Sequence, residues 1–297
     1  AMATKMQTSS EGTIKWVIDQ GQAQAIETVY IPEKSRRTLC VSSQIGCLID
    51  CPFCATGHQG FNRNLSSAEI IGQVLLAKQA LRQELKQDDL ITNIVFMGMG
   101  EPLANFSETI KAIKILTDPN GFNLSRRRVT ISTSGLVPQI MKLADYVNVS
   151  LAISLHAPFN KLRDELVPIN RRHPIEALLD ACWFYAKHGR LKTVTFEYTL
   201  LKGVNDQPKH ARQLCKLLKD RPAKVNLIPF NTFPGVVYQP TPIYQINEFR
   251  NILLESGIMT ITRTTRGDDI KAACGQLSGT VNNLAKQSLG QKLKTIN

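Results

Sequence analysis

Cys47-Leu48-Ile49-Asp50-Cys51-Pro52-Phe53-Cys54 puts three thiols into one short stretch. Thiolates are soft ligands that suit iron–sulfur clusters and zinc. Gaps of three and then two residues let a tight loop wrap one corner of a 4Fe-4S cubane. Three ligands leave one iron without a protein thiolate, open to a small molecule through its amino and carboxylate groups. Two other readings compete. Zinc needs a fourth close ligand, for which His58 is the nearby candidate, and the thiols can also be inert core cysteines. Seven cysteines in a chain that opens without a secretory signal argue for metal or redox chemistry over a disulfide framework.

Around this stretch the pattern alternates. Upstream, residues 13–18 and 25–31 are rich in β-branched side chains and flank Gly21, which predicts a hairpin. A third strand, 39–42, runs into the cysteines. Downstream, residues 66–85 read as a helix, with Ser66 and Glu69 at capping-box spacing and Ile70, Val74, Ala77 and Leu81 on one face. Strands follow at 91–97, 128–133, 147–155, 193–201, 224–228 and 258–265. Helices fall at 107–116, 174–187, 208–219 and 243–256. About six β–α units imply an α/β fold with a mostly parallel sheet, a partial (β/α)6 barrel open on one side. The expected organisation is an N-terminal β-hairpin extension over 1–38, the barrel over 39–280, and a basic tail over 281–297. Ala1-Met2-Ala3 reads as an expression scar. Functional residues belong on the loops after the strands.

The chain is large enough for one sizeable core, with 297 residues, 43% of them hydrophobic. Its 36 Lys and Arg against 24 Asp and Glu leave a formal charge of +12, which favours a polyanionic partner. No apolar run approaches the ~20 residues of a membrane span. A cytoplasmic location, no membrane partner and a monomer are the expectations.

The C-x3-C-x2-C spacing, with aromatic Phe53 just before the last cysteine, resembles the signature of radical S-adenosylmethionine (SAM) proteins. Gly98-Met99-Gly100-Glu101-Pro102 after an apolar strand is similar to the loop that those proteins set against the amino group of SAM. Its two glycines permit close backbone approach.

The resemblance narrows further. Glu27-Thr28-Val29-Tyr30-Ile31-Pro32, Cys40-Val41-Ser42-Ser43-Gln44, Gln59-Gly60-Phe61-Asn62-Arg63-Asn64-Leu65, Ser132-Thr133-Ser134-Gly135, Ser154-Leu155-His156-Ala157, Val225-Asn226-Leu227-Ile228-Pro229 and Arg266-Gly267-Asp268-Asp269-Ile270, with Ala273-Cys274-Gly275-Gln276-Leu277 beyond, resemble the RlmN dual-specificity RNA methyltransferases from about Gly12 to Gly279. Members of that family usually begin with a small helical accessory domain, for which this sequence has no counterpart before Gly12. The resemblance implies methylation of carbon 2 of adenosine in 23S ribosomal RNA and in transfer RNA. It implies a 4Fe-4S cluster on Cys47, Cys51 and Cys54, and two SAM molecules per turnover. SAM would be bound by Gly100, Glu101, Ser132, Ser154, Leu155, His156 and Asn231. One SAM would methylate Cys274, and the second would generate the radical that activates that methyl. Cys40 would then attack the Cys274 sulfur, forming a transient disulfide and releasing the base. Glu27 is the candidate general base, and an electron donor such as flavodoxin is implied.

Carbon 2 of adenine is electron-poor, so ordinary methyl displacement cannot reach it and a cofactor radical must. Cys182 and Cys215 sit on apolar helical faces and read as core thiols. His58, His173, His188 and His210 read as surface or loop residues. Basic groups at 34–37, 126–128 and 171–172, with Arg263 and Arg266, are candidate phosphate contacts. The rivals are a Cfr-type enzyme acting on adenine carbon 8, a non-catalytic iron–sulfur RNA-binding module, and a radical enzyme that activates a peptide or protein. The paired Cys40 and Cys274 argue against the last.

Overall fold

The computed structural model describes residues 3–85, 91–189 and 191–280. The chain opens with β1 (Ala3–Thr8), β2 (Ile14–Asp19) and β3 (Ala25–Pro32), an antiparallel meander whose third strand pairs antiparallel with β4 (Arg37–Cys40). The hairpin expected at the N-terminus therefore has an additional strand. Ala3, set aside as a scar, pairs with Ile18. The meander continues the main sheet directly, so ladder hydrogen bonds tie the N-terminal residues to the barrel.

After β4 comes a small hairpin of β5 (Gln44–Gly46) and β6 (Phe61–Asn64), with α1 (Ala55–His58) and the three cysteines between its strands. The chain then alternates through α2 (Ser67–Leu85), β7 (Asn93–Phe96), α3 (Phe106–Thr117), β8 (Val129–Thr133), α4 (Val137–Tyr146) and β9 (Ser150–Ser154). It continues with α5 (Asn160–Leu166), α6 (Ile175–His188), β10 (Val194–Leu200), α7 (Pro208–Leu218), β11 (Ala223–Pro229), α8 (Ile243–Glu255) and β12 (Met259–Thr262). Strands β4, β7, β8, β9, β10, β11 and β12 are parallel neighbours in that order, within a ten-stranded sheet. This is the α/β partial barrel that the alternation predicts. Its outer strands β1 and β12 do not pair, so the barrel stays open.

Side-chain alternation sorts the strands into two faces. Ile94, Ile131, Leu151, Ile153, Phe196, Val225 and Leu227 point outward under the helices and are at most 2% exposed. Each such side chain contributes about 1.5–3 kcal/mol of burial. The alternate residues turn inward, and Thr130, Ser150, Thr195, Glu197, Lys224 and Asn226 line the lumen. A closed eight-fold barrel fills that space with branched apolar side chains. Here it is hollow, and polar side chains from β8 to β11 share the lining with apolar ones such as Val29, Val95 and Ala152.

The helix expected over 66–85 starts at Ser67, and its capping box forms. Ser66 Oγ accepts from Glu69 N at 3.2 Å, and Ser66 N donates to Glu69 Oε2 at 2.7 Å. The strand expected from residue 147 starts at Ser150, because Val147 still bonds the Leu143 carbonyl at the end of α4. Helices α1, α4 and α5 and strands β1, β5 and β6 are additions to the sequence reading. The basic tail expected over 281–297 lies outside the described residues.

Candidate active site

The cysteine loop is built for close approach. Cys47 N donates to Gly60 O at 2.8 Å, closing the β5–β6 hairpin under the loop. A Cβ at Gly57 would stand 2.8 Å from the Cys51 carbonyl oxygen, so only glycine lets α1 pack onto the loop. Burial pushes the Cys47 thiol up to about 12, against backbone N–H groups of Ile49 and Asp50 that favour its thiolate. Cys51 is raised well above the usual thiol range, first by burial and then by its two neighbouring thiols. Burial also raises Cys54, opposed by N–H groups of Gly57 and Thr56. Three half-buried thiols on one loop, two of them met by backbone donors, suit soft thiolate ligation with hydrogen bonds to sulfur. Cys47, Cys51 and Cys54 are the residues that would hold a 4Fe-4S cluster. Among the described residues no group of three or more His, Cys, Asp or Glu is placed to hold a metal ion. His58, the candidate fourth zinc ligand, hydrogen-bonds the Pro52 carbonyl at 2.7 Å and sets its ring edge-on to Phe233.

Gly98-Met99-Gly100-Glu101 packs against the segment leading into the cysteines. Gly100 has φ +98°, and a Cβ there would meet Gln44 Cβ at 2.5 Å. Glu101 is buried with its carboxylate fully engaged. Oε2 accepts from Ser134 N and Oγ, each at 2.7 Å, and Oε1 accepts from Leu103 N at 3.0 Å. Burial raises its pKa, and these donors oppose the rise.

Ser132 and Ser154 face the lumen from β8 and β9, and the Leu155–His156 turn follows β9. His156 has φ +56°, an uncommon conformation outside glycine. Asn205 holds it, donating from Nδ2 to the carbonyls of His156 (2.8 Å) and Thr199 (2.7 Å). His156 Nδ1 accepts from Thr199 N at 3.0 Å, and Phe53 of the cysteine loop lies edge-on at 4.8 Å.

Cys274 is exposed, and its loop is fastened on every side. Gly275 O accepts from Ala55 N at 2.8 Å, directly after Cys54. Thr56 Oγ1 donates to Leu277 O at 2.6 Å. Asn231 donates to Cys274 O at 3.3 Å, and Gln276 Nε2 donates to Thr232 O and Asp268 Oδ1. From the meander, Lys15 Nζ donates to Lys271 O at 3.1 Å, and Glu27 Oε2 accepts from Ser278 N at 2.9 Å. Lys15 Nζ and Glu27 Oε1 are 3.0 Å apart.

Cys40 and Cys274, distant in sequence, line one cavity of about 620 Å³ together with Cys54, Asn231 and Arg263. Burial pushes Cys40 up to about 12, nearby Cys274 raises it further, and Arg263 opposes both. Glu27 is not among the residues lining that cavity. All seven cysteines are free. Cys182 is fully buried on α6, and Cys215 packs between α7 and α8 with Sγ 3.7 Å from Ile252 O. His58 and His188 are exposed and His173 is intermediate. His210 departs from the expectation: it is 4% exposed, because its Nδ1 accepts from Gln207 N and closes the capping box of α7.

The sequence reading passed over three residues that organise the site. Arg163, with no accessible surface, donates to the carbonyls of Leu155 (3.1 Å), Ser134 (2.6 Å) and Ser154 (3.0 Å), and to Asn170 Oδ1 (3.0 Å). Asn205 and Lys15 are the others. Lys15 alone left a trace, as a charge amid the apolar residues of a predicted strand.

Fold and cysteine loop together define a radical SAM enzyme, and residues 41–215, more than half the chain, match the Radical SAM superfamily. Membership implies a 4Fe-4S cluster and SAM as cofactors. A dual-specificity RNA methyltransferase RlmN from Pseudomonas putida (strain W619) is 54% identical over 94% of this chain and 74% of its own length. The chain belongs to the RlmN family and is a radical SAM-dependent RNA methyltransferase. A radical SAM methyltransferase from Sphaerobacter thermophilus has a TM-score of 0.89 at 44% identity, over 93% of this chain and 80% of that one. Streptococcus suis SuiB, in a structure bound to SAM, shares the fold at TM-score 0.54 and 14% identity, over 76% of this chain and 50% of that one. No helix among the described residues is long and apolar enough to cross a membrane.

Proposed function

We propose that this chain methylates carbon 2 of adenosine in 23S ribosomal RNA and in transfer RNA, with Cys274 carrying the methyl group and Cys40 releasing the product. The observation that carries the reading is the shared cavity: two free thiols from opposite ends of the chain face it beside Cys54. A cluster held by Cys47, Cys51 and Cys54 would, with SAM, supply the radical chemistry that activates a thioether methyl.

The chain's own residues do the rest. Gly100, Glu101, Ser132, Ser154, Leu155, His156 and Asn231 are assigned to SAM by the family resemblance, and Asn231 among them lines the cavity. Cys274, exposed on its fastened loop, accepts a methyl from one SAM and presents it, so two SAM molecules serve each turnover. Cys40 lies within the electrostatic reach of Cys274. Its attack on the Cys274 sulfur forms a disulfide and frees the base. Glu27 carries two assignments: removal of the carbon 2 proton, as the family resemblance implies, and bracing of the Cys274 loop, which its bonds to Lys15 and Ser278 support. Residues 39–280 are taken as the catalytic barrel of a cytoplasmic monomer, supplied with electrons by a small protein such as flavodoxin.

The test is mass spectrometry of RNA treated with the anaerobically reconstituted protein. 2-Methyladenosine is expected; 8-methyladenosine reassigns the chain to Cfr-type chemistry. Cys274→Ala is expected to abolish methylation while leaving slow SAM cleavage. A protein that cleaves no SAM even with RNA present is a binding module.

A further inference from the structure

Two residues that line the cavity holding Cys40 and Cys274 carry a buried side-chain atom with no hydrogen-bond partner among the described residues: Glu197 Oε2 and Arg266 Nε. Buried polar atoms are nearly always satisfied, so an orphan on the lumen face marks a place for a polar ligand.

Glu197 is the more informative. It sits within β10, level with Ser154 on one side and Asn226 on the other, and is 3% exposed. Oε1 accepts from Asn226 Nδ2 at 2.9 Å. Oε2 lies 4.0 Å from an Arg263 guanidinium nitrogen, beyond hydrogen-bond range. Burial pushes the carboxyl pKa up, and Arg263 and Asn226 hold it down. The carboxylate thus offers one free acceptor, fixed in direction by its Asn226 bond, next to a cation that offers donors.

An acceptor beside donors matches a flat heterocycle carrying an amino N–H next to a ring nitrogen. Adenine presents that pair. Guanine would turn a carbonyl oxygen toward the carboxylate. We propose that Glu197 and Arg263 read the target base, Glu197 Oε2 accepting from the exocyclic amino group and Arg263 donating to a ring nitrogen. The assignment rests on adenine being the substrate. Radical addition at carbon 2 comes through the ring face, so the edge of the base stays free to be held. Neither residue belongs to the set assigned to SAM, and the pair would explain selection among bases with no change in the thiol chemistry.

The test compares two RNA hairpins that differ at the target nucleoside: adenosine, or purine riboside, which lacks only the amino group. For the wild-type protein kcat/KM is expected to be about a hundredfold lower on the purine riboside RNA, because the buried carboxylate is left unpaired. In Glu197→Gln, which keeps the Asn226 bond but loses the carboxylate acceptor, the ratio between the two RNAs is expected to fall to within about threefold of one. A wild-type ratio near one overturns the assignment without need of any variant, and so does a Glu197→Gln protein that keeps the full wild-type ratio. Wild-type protein that methylates neither RNA overturns the functional reading and this assignment with it.

Discussion

Lys15 and Glu27 form an ion pair at 3.0 Å, each side chain 6% exposed, whose outer bonds reach the Cys274 loop on both sides, at the Lys271 carbonyl and the Ser278 amide. Removing one partner of such a pair leaves a buried charge uncompensated and costs about 3–5 kcal/mol. Glu27→Gln alone is therefore expected to destabilise the protein and abolish methylation. Replacing both partners, as in Lys15→Met with Glu27→Gln, removes the stranded charge while Gln still accepts from Ser278. If Glu27 serves the loop, the double variant recovers a substantial part of the lost activity. If Glu27 takes the carbon 2 proton, the double variant folds and stays inactive, with RNA adducts accumulating.

Cys40 makes a kinetic prediction with a definite sign. Its thiol pKa is raised first by burial, which remains when Cys274 is alkylated, and the thiol is mostly protonated at neutral pH, whereas attack on sulfur needs the thiolate. Below that pKa the thiolate fraction grows about tenfold per pH unit, so decay of the protein–RNA adduct should accelerate steeply from pH 7 to pH 9. Cys40→Ala should trap the adduct at every pH. A flat profile in the wild type, or turnover without adducts in the variant, removes Cys40 from the release step.

The radical SAM class was legible because the cysteine spacing is local: one loop holds all three thiols, and chemistry limits what three close thiols can do. The barrel was legible from strands and helices that alternate in period. What escaped the sequence depends on contacts between distant segments. Helix α4 buries only Ile140 and Leu143, too few to set a periodic pattern. Arg163 reads as one more surface charge on a short helix, and nothing local shows three loop carbonyls converging on it. His210 looked like a loop histidine until Gln207 closed its cap. A signal for the polar lumen was present, since Thr195 and Glu197 on β10 and Lys224 and Asn226 on β11 alternate with apolar residues. Parallel strands covered on both faces are apolar throughout, so that alternation marks a hollow interior.

Arg163 gathers the carbonyls of the turns after β8 and β9. Charged hydrogen bonds are worth about 1.5–3 kcal/mol each when a partner is lost. Arg163→Met should therefore lower stability by at least about 3 kcal/mol and weaken SAM binding more than tenfold, read by thermal denaturation and anaerobic calorimetry. Arg163→Lys should restore little of either, because a compact ammonium cannot span the forked set of acceptors. Full recovery by lysine would reduce the role of Arg163 to charge alone.

His156 couples the same region to acid. Its Nδ1 accepts the Thr199 amide, so the ring proton is on Nε2, and burial holds its pKa down at about 3 against an ordinary value near 6.5. The unfolded chain therefore takes up a proton that the folded one refuses. The stability this supplies is complete above pH 6.5 and drains away as pH falls toward 3, at up to about 1.4 kcal/mol per unit. His156→Gln keeps an acceptor in place but does not titrate, and should flatten the fall. Urea midpoints of cluster-free protein between pH 7 and pH 4, where acid loss of iron plays no part, measure the difference between the two slopes. Parallel slopes would mean that His156 is protonated in the folded state, and the Thr199 bond with it would have to break.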